Sequence, residues 1–123
     1  MKKIVTLSAV LLAALMVFSG CSKASAKKDY ILATGGTSGT YYPFGGAIAN
    51  IWNTKIDGMN VTAQATGASA ENLRLINKGE AEFATVQNDV MDYAFHGTDM
   101  FKGEKLENVM TVGTMYPEVV QIA

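Results

Sequence analysis

The chain is poor in the residues that build covalent cross-links and metal centres. Its 123 residues include one cysteine, Cys21, and one histidine, His96. A single cysteine forms no disulfide within the chain, and one histidine, one cysteine and scattered acids supply no ligand cluster for a metal ion. A serine hydrolase needs a histidine base, but His96 directly precedes Gly97, a residue typical of helix ends. The sequence predicts a surface histidine at a helix terminus, with no metal site, no cofactor and no enzymatic activity.

Lysine is missing where a nucleotide-binding loop would need it. The P-loop pattern Gly-x-x-x-x-Gly-Lys-Ser/Thr has no match, because no lysine lies between Lys28 and Lys55. The dinucleotide pattern Gly-x-Gly-x-x-Gly is also absent from the glycine-rich stretch, which reads Gly-Gly-Thr-Ser-Gly over residues 35–39. The 10 basic and 11 acidic residues leave no excess of positive charge for nucleic acid. These absences argue against nucleotide and nucleic-acid binding.

The first 20 residues have the pattern of a secretory signal. Lys2 and Lys3 precede an apolar run over residues 4–18, which is shorter than the roughly 20 residues that cross a bilayer. The run closes on Phe-Ser-Gly-Cys at residues 18–21, which resembles a bacterial lipobox. That resemblance implies that residues 1–20 are removed and that the acylated Cys21 anchors the mature chain to the outside of the membrane. An uncleaved anchor helix and an ordinary signal with an incidental thiol are the alternatives.

Strand and helix patterns alternate three times beyond a predicted flexible tether at residues 21–28. Pattern and turn signals predict strands over 30–34, 60–66 and 81–86, and helices over 43–53, 69–78 and 87–96. Residues 99–108 are predicted to form a polar surface loop, and 109–115 and 118–123 two further strands. This order is typical of an α/β domain with a parallel sheet.

Several finer predictions concern how the helices begin, end and pack. Pro43 suits a first helical position, and Ser69 is a plausible N-cap. Gly79 and Gly97 are predicted to end the second and third helices. The buried stripe of the first helix is predicted to contain the residues Ile48, Ile51 and Trp52.

A ligand site is predicted at one edge of the sheet. Three strand-to-helix turns, 35–42, 66–72 and 87–89, offer glycine or small polar residues where strands end. In an open α/β sheet such turns gather along one edge, and helix N-termini there favour a small anion. The polar and aromatic candidates in these turns are Thr37, Ser38, Thr40, Tyr41, Tyr42, Ser69, Asn72 and Gln87. We interpret Asp89 as a helix-dipole residue and Glu118 as structural.

Four motifs together resemble one known family. They are Gly-Gly-Thr-Ser-Gly-Thr-Tyr-Tyr-Pro at 35–43, Gln-Ala-Thr-Gly-Ala-Ser with Glu-Asn at 64–72, Gln-Asn-Asp-Val at 87–90, and Tyr-Pro-Glu at 116–118. In this order and behind a lipoprotein signal, they are similar to the TAXI family, the extracytoplasmic solute-binding subunits of one class of TRAP secondary transporters. The resemblance covers nearly all of residues 29–123.

The resemblance implies a periplasmic-binding-protein fold of type II, in which two α/β lobes close on a solute. Residues 29–116 would form most of the first lobe, and 117–123 would start the crossing to a second lobe. Because the chain stops inside an apolar run, we expect an N-terminal fragment of a longer protein. The implied ligand is a small carboxylate or amino acid of the glutamate and 2-oxoglutarate kind, passed to a TRAP membrane permease. Carried over motif by motif, the implied ligand-binding residues are Tyr41, Ser69, Gln87, Ser38, Thr37, Tyr42, Asn72 and Tyr116.

Two other function classes stay open at this stage. A surface lipoprotein with the same lobe would act as a ligand sensor or adhesin, and its gene would not adjoin a TRAP permease subunit. An enzyme on the same scaffold is the second alternative, and the missing acid and base pair argues against it.

Overall fold

The computed structural model describes residues 27–118. The predicted signal peptide 1–20, the lipidation site Cys21, most of the predicted tether, and residues 119–123 of the predicted crossing and last strand lie outside the described residues. Strands are β1 (Lys28–Ala33), β2 (Met59–Gln64) and β3 (Phe83–Ala84). Helices are α1 (Tyr41–Lys55), α2 (Ser69–Lys78) and α3 (Asn88–His96), followed by a 3-10 turn at Asp99–Phe101. β1 therefore begins inside the stretch predicted to be tether.

The three strands form one parallel sheet in the order β2-β1-β3. In β1, Ala33 lies opposite Gln64 of β2 on one side and Ala84 of β3 on the other. The chain moves from β1 to one side of the sheet and then returns to the opposite side of β1, so the strand order reverses there. Ligands in open α/β sheets bind at such a reversal, beyond the carboxyl ends of the strands. The predicted α/β class and parallel sheet are confirmed.

α1 packs closely on β1 and β2, and one glycine makes this possible. Gly45 is buried, and a Cβ at this position would collide with Cγ2 of Thr34, which follows β1. The helix also contributes buried Ala49 and half-buried Trp52, whose ring lies 4.9 Å from that of Phe83. The prediction that Ile51 belongs to the buried stripe is wrong, because its side chain is 55% exposed. The face that packs on the sheet passes through Gly45 and Ala49 instead.

The helix ends follow the predicted glycines, whereas two of the starts differ from prediction. Gly79 and Gly97 end α2 and α3 in the left-handed conformation, with φ of 72° and 67°. Pro43 is the third residue of α1 and not the first. Proline is still tolerated there, because the N–H groups of the first helical turn have no partner within the helix. Ser69 is the first residue of α2 and makes no N-cap bond, because Ala68 occupies the cap position.

The stretch predicted to be a polar loop supplies part of the core. Phe101 and Leu106 are 1% and 2% exposed, and they pack in one cluster with Leu73 of α2 and Ala94 of α3. The prediction overlooked these two apolar residues because charged neighbours surround them. The predicted strand over 109–115 is also wrong, since that segment has no regular structure. Within residues 27–118, no helix has the length and apolar character needed to cross a membrane.

Candidate functional site

The three strand-to-helix turns meet at one cleft. Its volume is about 280 Å³, near the lower end of the usual range for small-molecule sites. The cleft is lined by Gly35, Gly36, Gly39, Thr40, Tyr41, Ala68, Gln87 and Glu118. Apart from Glu118, these residues lie in the turns that follow β1, β2 and β3, so the predicted convergence of the turns is observed.

Three of the predicted residues lie together at the cleft. The Oγ of buried Ser69 accepts a hydrogen bond from the backbone N–H of Gln87 at 3.0 Å, which joins the starts of α2 and α3. The side chain of Tyr41, at the start of α1, lies close to Ser69. Tyr41 and Gln87 line the cleft, and Ser69 fixes their positions from below. The starts of α2 and α3 are therefore linked through the Ser69 hydroxyl, and the Tyr41 side chain of α1 lies beside this link.

The carboxylate of Glu118 lies against this cluster. Its Oε2 accepts a hydrogen bond from Nε2 of Gln87 at 2.6 Å, and the carboxylate lies close to the side chain of Tyr41. Burial raises the pKa of Tyr41 well above its ordinary value, and the nearby carboxylate of Glu118 raises it further. The nearby hydroxyl of Ser69 lowers this pKa. Tyr41 is consequently a neutral phenol and a hydrogen-bond donor at physiological pH.

The start of α1 differs from the other two helix starts in having no acidic residue in its first turn. Among the described residues, α1 has no acid in its first turn and no side-chain cap, and the N–H groups of Thr40, Tyr41 and Tyr42 have no intrahelical partner. Thr40 and Tyr41 line the cleft, so this helix start borders it. The helix dipole would stabilise an anion bound at the start of α1.

The other two helix starts already have acidic partners. Oε2 of Glu71, in the first turn of α2, accepts a hydrogen bond from the N–H of Gly67 at 2.7 Å. In α3, Oδ1 of Asp89 accepts the N–H of Val90 at 2.8 Å, in agreement with the dipole role predicted for Asp89. The start of α1 thus has no acid in its own first turn, and the acid nearest to it is Glu118, which lies close to Tyr41.

Ala68 holds an unusual backbone conformation in the wall of the cleft. Its φ of 69° and ψ of −152° fall in a region that is almost restricted to glycine. The Ala68 N–H donates to Oγ1 of Thr66 at 3.1 Å, and its carbonyl accepts the N–H of Asn72 at 2.9 Å. These bonds hold the strained residue in place, and strain of this kind concentrates at ligand sites.

Asn72 lies beneath the cleft and fastens the turns to one another. Its side chain is fully buried, and Nδ2 donates to the carbonyls of Thr34 at 2.7 Å and Thr85 at 2.8 Å. Its Oδ1 accepts the hydroxyl of Thr66 at 2.6 Å. One amide therefore bonds to the segments that follow all three strands, and these contacts occupy the polar atoms that a ligand would need.

The remaining predicted residues lie beside the cleft and not in its lining. Thr37 and Ser38 are exposed in the turn after β1, and Tyr42 is half-buried in the first turn of α1. Tyr116 packs edge-to-face on Phe44, with ring centroids 5.4 Å apart. The eight candidates thus fall into three groups. Tyr41 and Gln87 line the cleft, Ser69 and Asn72 lie beneath it, and the other four lie beside it.

Sequence reasoning missed Glu118 and Ala68 as parts of the cleft. Glu118 belongs to the Tyr-Pro-Glu motif, but its distance in sequence from the three turns gave no sign that its carboxylate meets Gln87. Ala68 lies between predicted candidates, and an alanine gives no signal of positive φ.

No metal centre emerges from residues 27–118, where no group of three or more His, Cys, Asp and Glu could hold an ion. His96 is an exposed residue at the end of α3, and its Nδ1 lies 3.2 Å from Oδ1 of Asp92. The predicted surface position at a helix terminus is confirmed.

Most of the chain matches one known protein family. Residues 32–123 match the NMT1-like family, and the matched range contains every lining residue of the cleft. This family is related to periplasmic solute-binding proteins, which indicates a solute-binding role and a small-molecule ligand. On a match that spans most of its length, the chain belongs to the NMT1-like family.

Proposed function

We propose that this protein is the extracytoplasmic solute-binding lipoprotein of a TRAP-type secondary transporter of the TAXI class. It captures a small organic acid or amino acid of the glutamate or 2-oxoglutarate kind and delivers it to the membrane permease. The observation that carries the proposal is the cleft in which the turns after all three strands converge. The family match and the four TAXI-like motifs support the same function.

The chemistry of the cleft suits reversible capture of a carboxylate. The unpaired N–H groups at the start of α1 provide a site for a carboxylate oxygen, since helix starts favour anions. The neutral Tyr41 hydroxyl and the Gln87 amide supply directional hydrogen bonds nearby. Because these donors are uncharged, they orient a ligand without holding it as strongly as an ion pair would.

The proposed mechanism uses the α/β lobe as one half of a type II binding protein. A ligand carboxylate bound at the start of α1 leaves its other side free for a second lobe to cover. Ligand binding then shifts an equilibrium between open and closed forms, and the closed form docks on the permease. The solute is bound and released without chemical change, so the protein is proposed to be no enzyme.

Two variants test the assigned donors. Gln87→Ala and Tyr41→Phe are expected to weaken solute binding roughly tenfold or more, because each removes a hydrogen bond to a charged group, worth about 1.5–3 kcal/mol. Binding is measured by calorimetry with L-glutamate and 2-oxoglutarate. Tyr42→Phe is the matched control, since Tyr42 adjoins Tyr41 in α1 but is not among the lining residues. Unchanged affinity in both cleft variants would remove these side chains from the site.

The solute itself is sought by native purification followed by mass spectrometry of the small molecules retained. We expect an organic acid or amino acid, recovered chemically unchanged, from the wild-type chain and a smaller amount from Gln87→Ala. Recovery of a converted product would favour the enzyme alternative. Retention of no acid, together with no heat of binding for L-glutamate and 2-oxoglutarate, would contradict the proposed function.

The membrane anchor is tested by the mass of the mature chain. In a bacterial host, we expect loss of residues 1–20 and addition of lipid to Cys21, with the protein found in the membrane fraction. Cys21→Ser should abolish the added mass and release the protein from the membrane. A wild-type chain whose mass equals that of its amino-acid sequence, with no added lipid, would exclude lipidation at this residue.

A further inference from the structure

The folded domain begins a short distance after the residue proposed to carry the lipid. Cys21 precedes Lys28, the first residue of β1, by seven residues. Seven residues span at most about 25 Å in any conformation. An acylated Cys21 would therefore hold the start of β1 within that distance of the bilayer surface.

The start of β1 lies at the amino edge of the sheet, the edge opposite to the cleft. The N–H of Lys28 donates to the carbonyl of Gly58 at 2.8 Å, which joins the start of β1 to the turn after α1. α1 begins at the cleft and ends at Lys55, beside this turn. The cleft lies beyond the other ends of the strands, roughly 20 Å away for the six residues of β1. The surface nearest to the proposed anchor is thus formed by the start of β1 and the end of α1.

Apolar and aromatic side chains are exposed at this end of the domain. Ile51 and Ile56, at the end of α1, are 55% and 45% exposed. Tyr30 and Trp52 are half-buried, and both rings lie against Phe83, with centroid distances of 5.8 and 4.9 Å. Tyrosine and tryptophan are enriched where proteins meet the interface of a membrane, because each joins an apolar ring to a polar group.

Lysines accompany these side chains. Lys27, Lys28 and Lys55 are exposed, and Nζ of Lys28 lies 5.1 Å from the centre of the Tyr30 ring. The long alkyl stem of a lysine can stay on apolar surface while its ammonium group reaches a lipid phosphate. The combination of exposed apolar, aromatic and lysine side chains is typical of surfaces that lie in the interfacial layer of a bilayer.

Acids balance these lysines. Among the described residues, the acids beside the start of β1 and the end of α1 are Asp29, Asp57 and Glu82. Oδ1 of Asp29 accepts a hydrogen bond from Nδ2 of Asn60 at 2.6 Å, and Oε2 of Glu82 accepts the N–H of Ile31 at 2.8 Å. Three lysines against three acids leave this part of the described surface without net charge, so a contact here depends on its apolar side chains. A bilayer offers such a contact without requiring anionic lipid.

We infer that this amino-edge patch rests on the bilayer that holds the lipid of Cys21, so that the cleft faces the solution outside the cell. The amino-edge patch consists of Tyr30, Ile51, Trp52, Ile56, Lys28 and Lys55. The inference rests on the lipid anchor of the proposed function and does not depend on which solute binds. Because the lipid already holds the domain at the surface, a weak contact through the patch is sufficient to orient it.

Trp52 reports the contact directly, because it is the only tryptophan of the chain. The acylated chain, purified from bacterial membranes, is placed in phosphatidylcholine vesicles whose acyl chains carry bromine close to the headgroup. Bromine quenches tryptophan only at short range, so we expect Trp52 to lose fluorescence relative to vesicles without bromine. Adding phosphatidylglycerol should change this loss little, since the surface around the patch has no net charge among the described residues.

A tryptophan at the opposite edge of the sheet tests the orientation. Asn88 is exposed at the start of α3, beside the cleft, and Asn88→Trp is combined with Trp52→Phe. This tryptophan should keep its fluorescence in brominated vesicles. Thermal melting checks that each variant is folded, and the mass of each chain checks that the lipid is present.

Ile56→Asp tests the patch itself. A charge at this position should weaken the contact with the bilayer and restore fluorescence to Trp52. Met110→Asp is the matched control, because Met110 is 90% exposed and its neighbour Val109 packs with Leu73 of α2 and not with α1. The control should leave the quenching unchanged.

Four outcomes would overturn the inference, and they differ in what they say of the proposed anchor. If the acylated wild type keeps its fluorescence, the anchor stands and the patch does not touch lipid. If the tryptophans at 52 and 88 are quenched equally, the domain has no preferred orientation. If the emission of Trp52 shifts to shorter wavelength without quenching, another protein molecule covers the patch. If the chain carries no lipid, the anchor and the inference both fail, whereas solute binding is unaffected.

Discussion

Asn72→Ala is expected to lower the free energy of unfolding by about 3 kcal/mol. The fully buried amide of Asn72 bonds to the carbonyls of Thr34 and Thr85 and to the hydroxyl of Thr66. Removing it takes the side-chain donor from the carbonyl of buried Thr85 and leaves the carbonyl of Thr34 with the weaker 3.3 Å bond from the Thr85 hydroxyl. An unpaired buried polar group costs about 1–3 kcal/mol, and the loss of the buried side chain adds to this cost. Part of that cost disappears if water enters the space. The measurement is urea unfolding of the purified chain, followed by circular dichroism.

Asn50→Ala provides the matched control for this variant. Asn50 is exposed in α1, so the substitution makes the same change in helix propensity without removing buried contacts. We expect it to leave stability unchanged or to raise it by a few tenths of a kcal/mol. Asn72→Asp keeps the size of the side chain but replaces the N–H donor with a charge among carbonyls, so it should destabilise the chain more than alanine does. Equal stability of Asn72→Ala and Asn50→Ala would show that the amide network contributes nothing.

The role of Asn72 also illustrates what the sequence could not predict. Local signals were sufficient for the order of strands and helices, because apolar periodicity and the glycines at 79 and 97 act on near neighbours. They also placed Tyr41 and Gln87 at strand-to-helix turns that meet in the cleft. The hydrogen-bond partners of Asn72, however, follow three different strands and are distant from one another in sequence. The sequence therefore showed Asn72 only as a polar residue of the second turn, and it was predicted to bind the ligand.

Long-range packing explains the other differences between prediction and structure. Phe101 and Leu106 are buried because they pack against residues of α2 and α3. The charged residues that surround them in the sequence gave no indication of this contact. Glu118 enters the cleft through a hydrogen bond to a residue 31 positions away. Ile51 fits the helical period but lies off the narrow face that Gly45 sets against the sheet. In each case the deciding partner is distant along the chain.

Gly45→Ala is the second substitution for which we expect a large effect, a loss of about 1–3 kcal/mol in unfolding free energy. The added methyl group would collide with Cγ2 of Thr34 and lie 3.5 Å from Cδ2 of Leu32. Thr34 has little freedom to yield, because it is fully buried and its Oγ1 donates to the carbonyl of Gln64 at 2.6 Å. Relieving the collision therefore requires α1 to move away from the sheet, which also shifts its first turn relative to the cleft.

Gly46→Ala separates this collision from the general effect of replacing a helical glycine. The next residue of the same helix is exposed, and a Cβ there meets no atom within 4 Å among the described residues. Alanine at 46 should therefore stabilise the chain by about 0.5–1 kcal/mol through helix propensity. If urea unfolding gives opposite signs for the two variants, close packing of α1 on β1 is established. If Gly45→Ala is as stable as Gly46→Ala, α1 does not approach Thr34 as described, and the position of its first turn at the cleft loses its support.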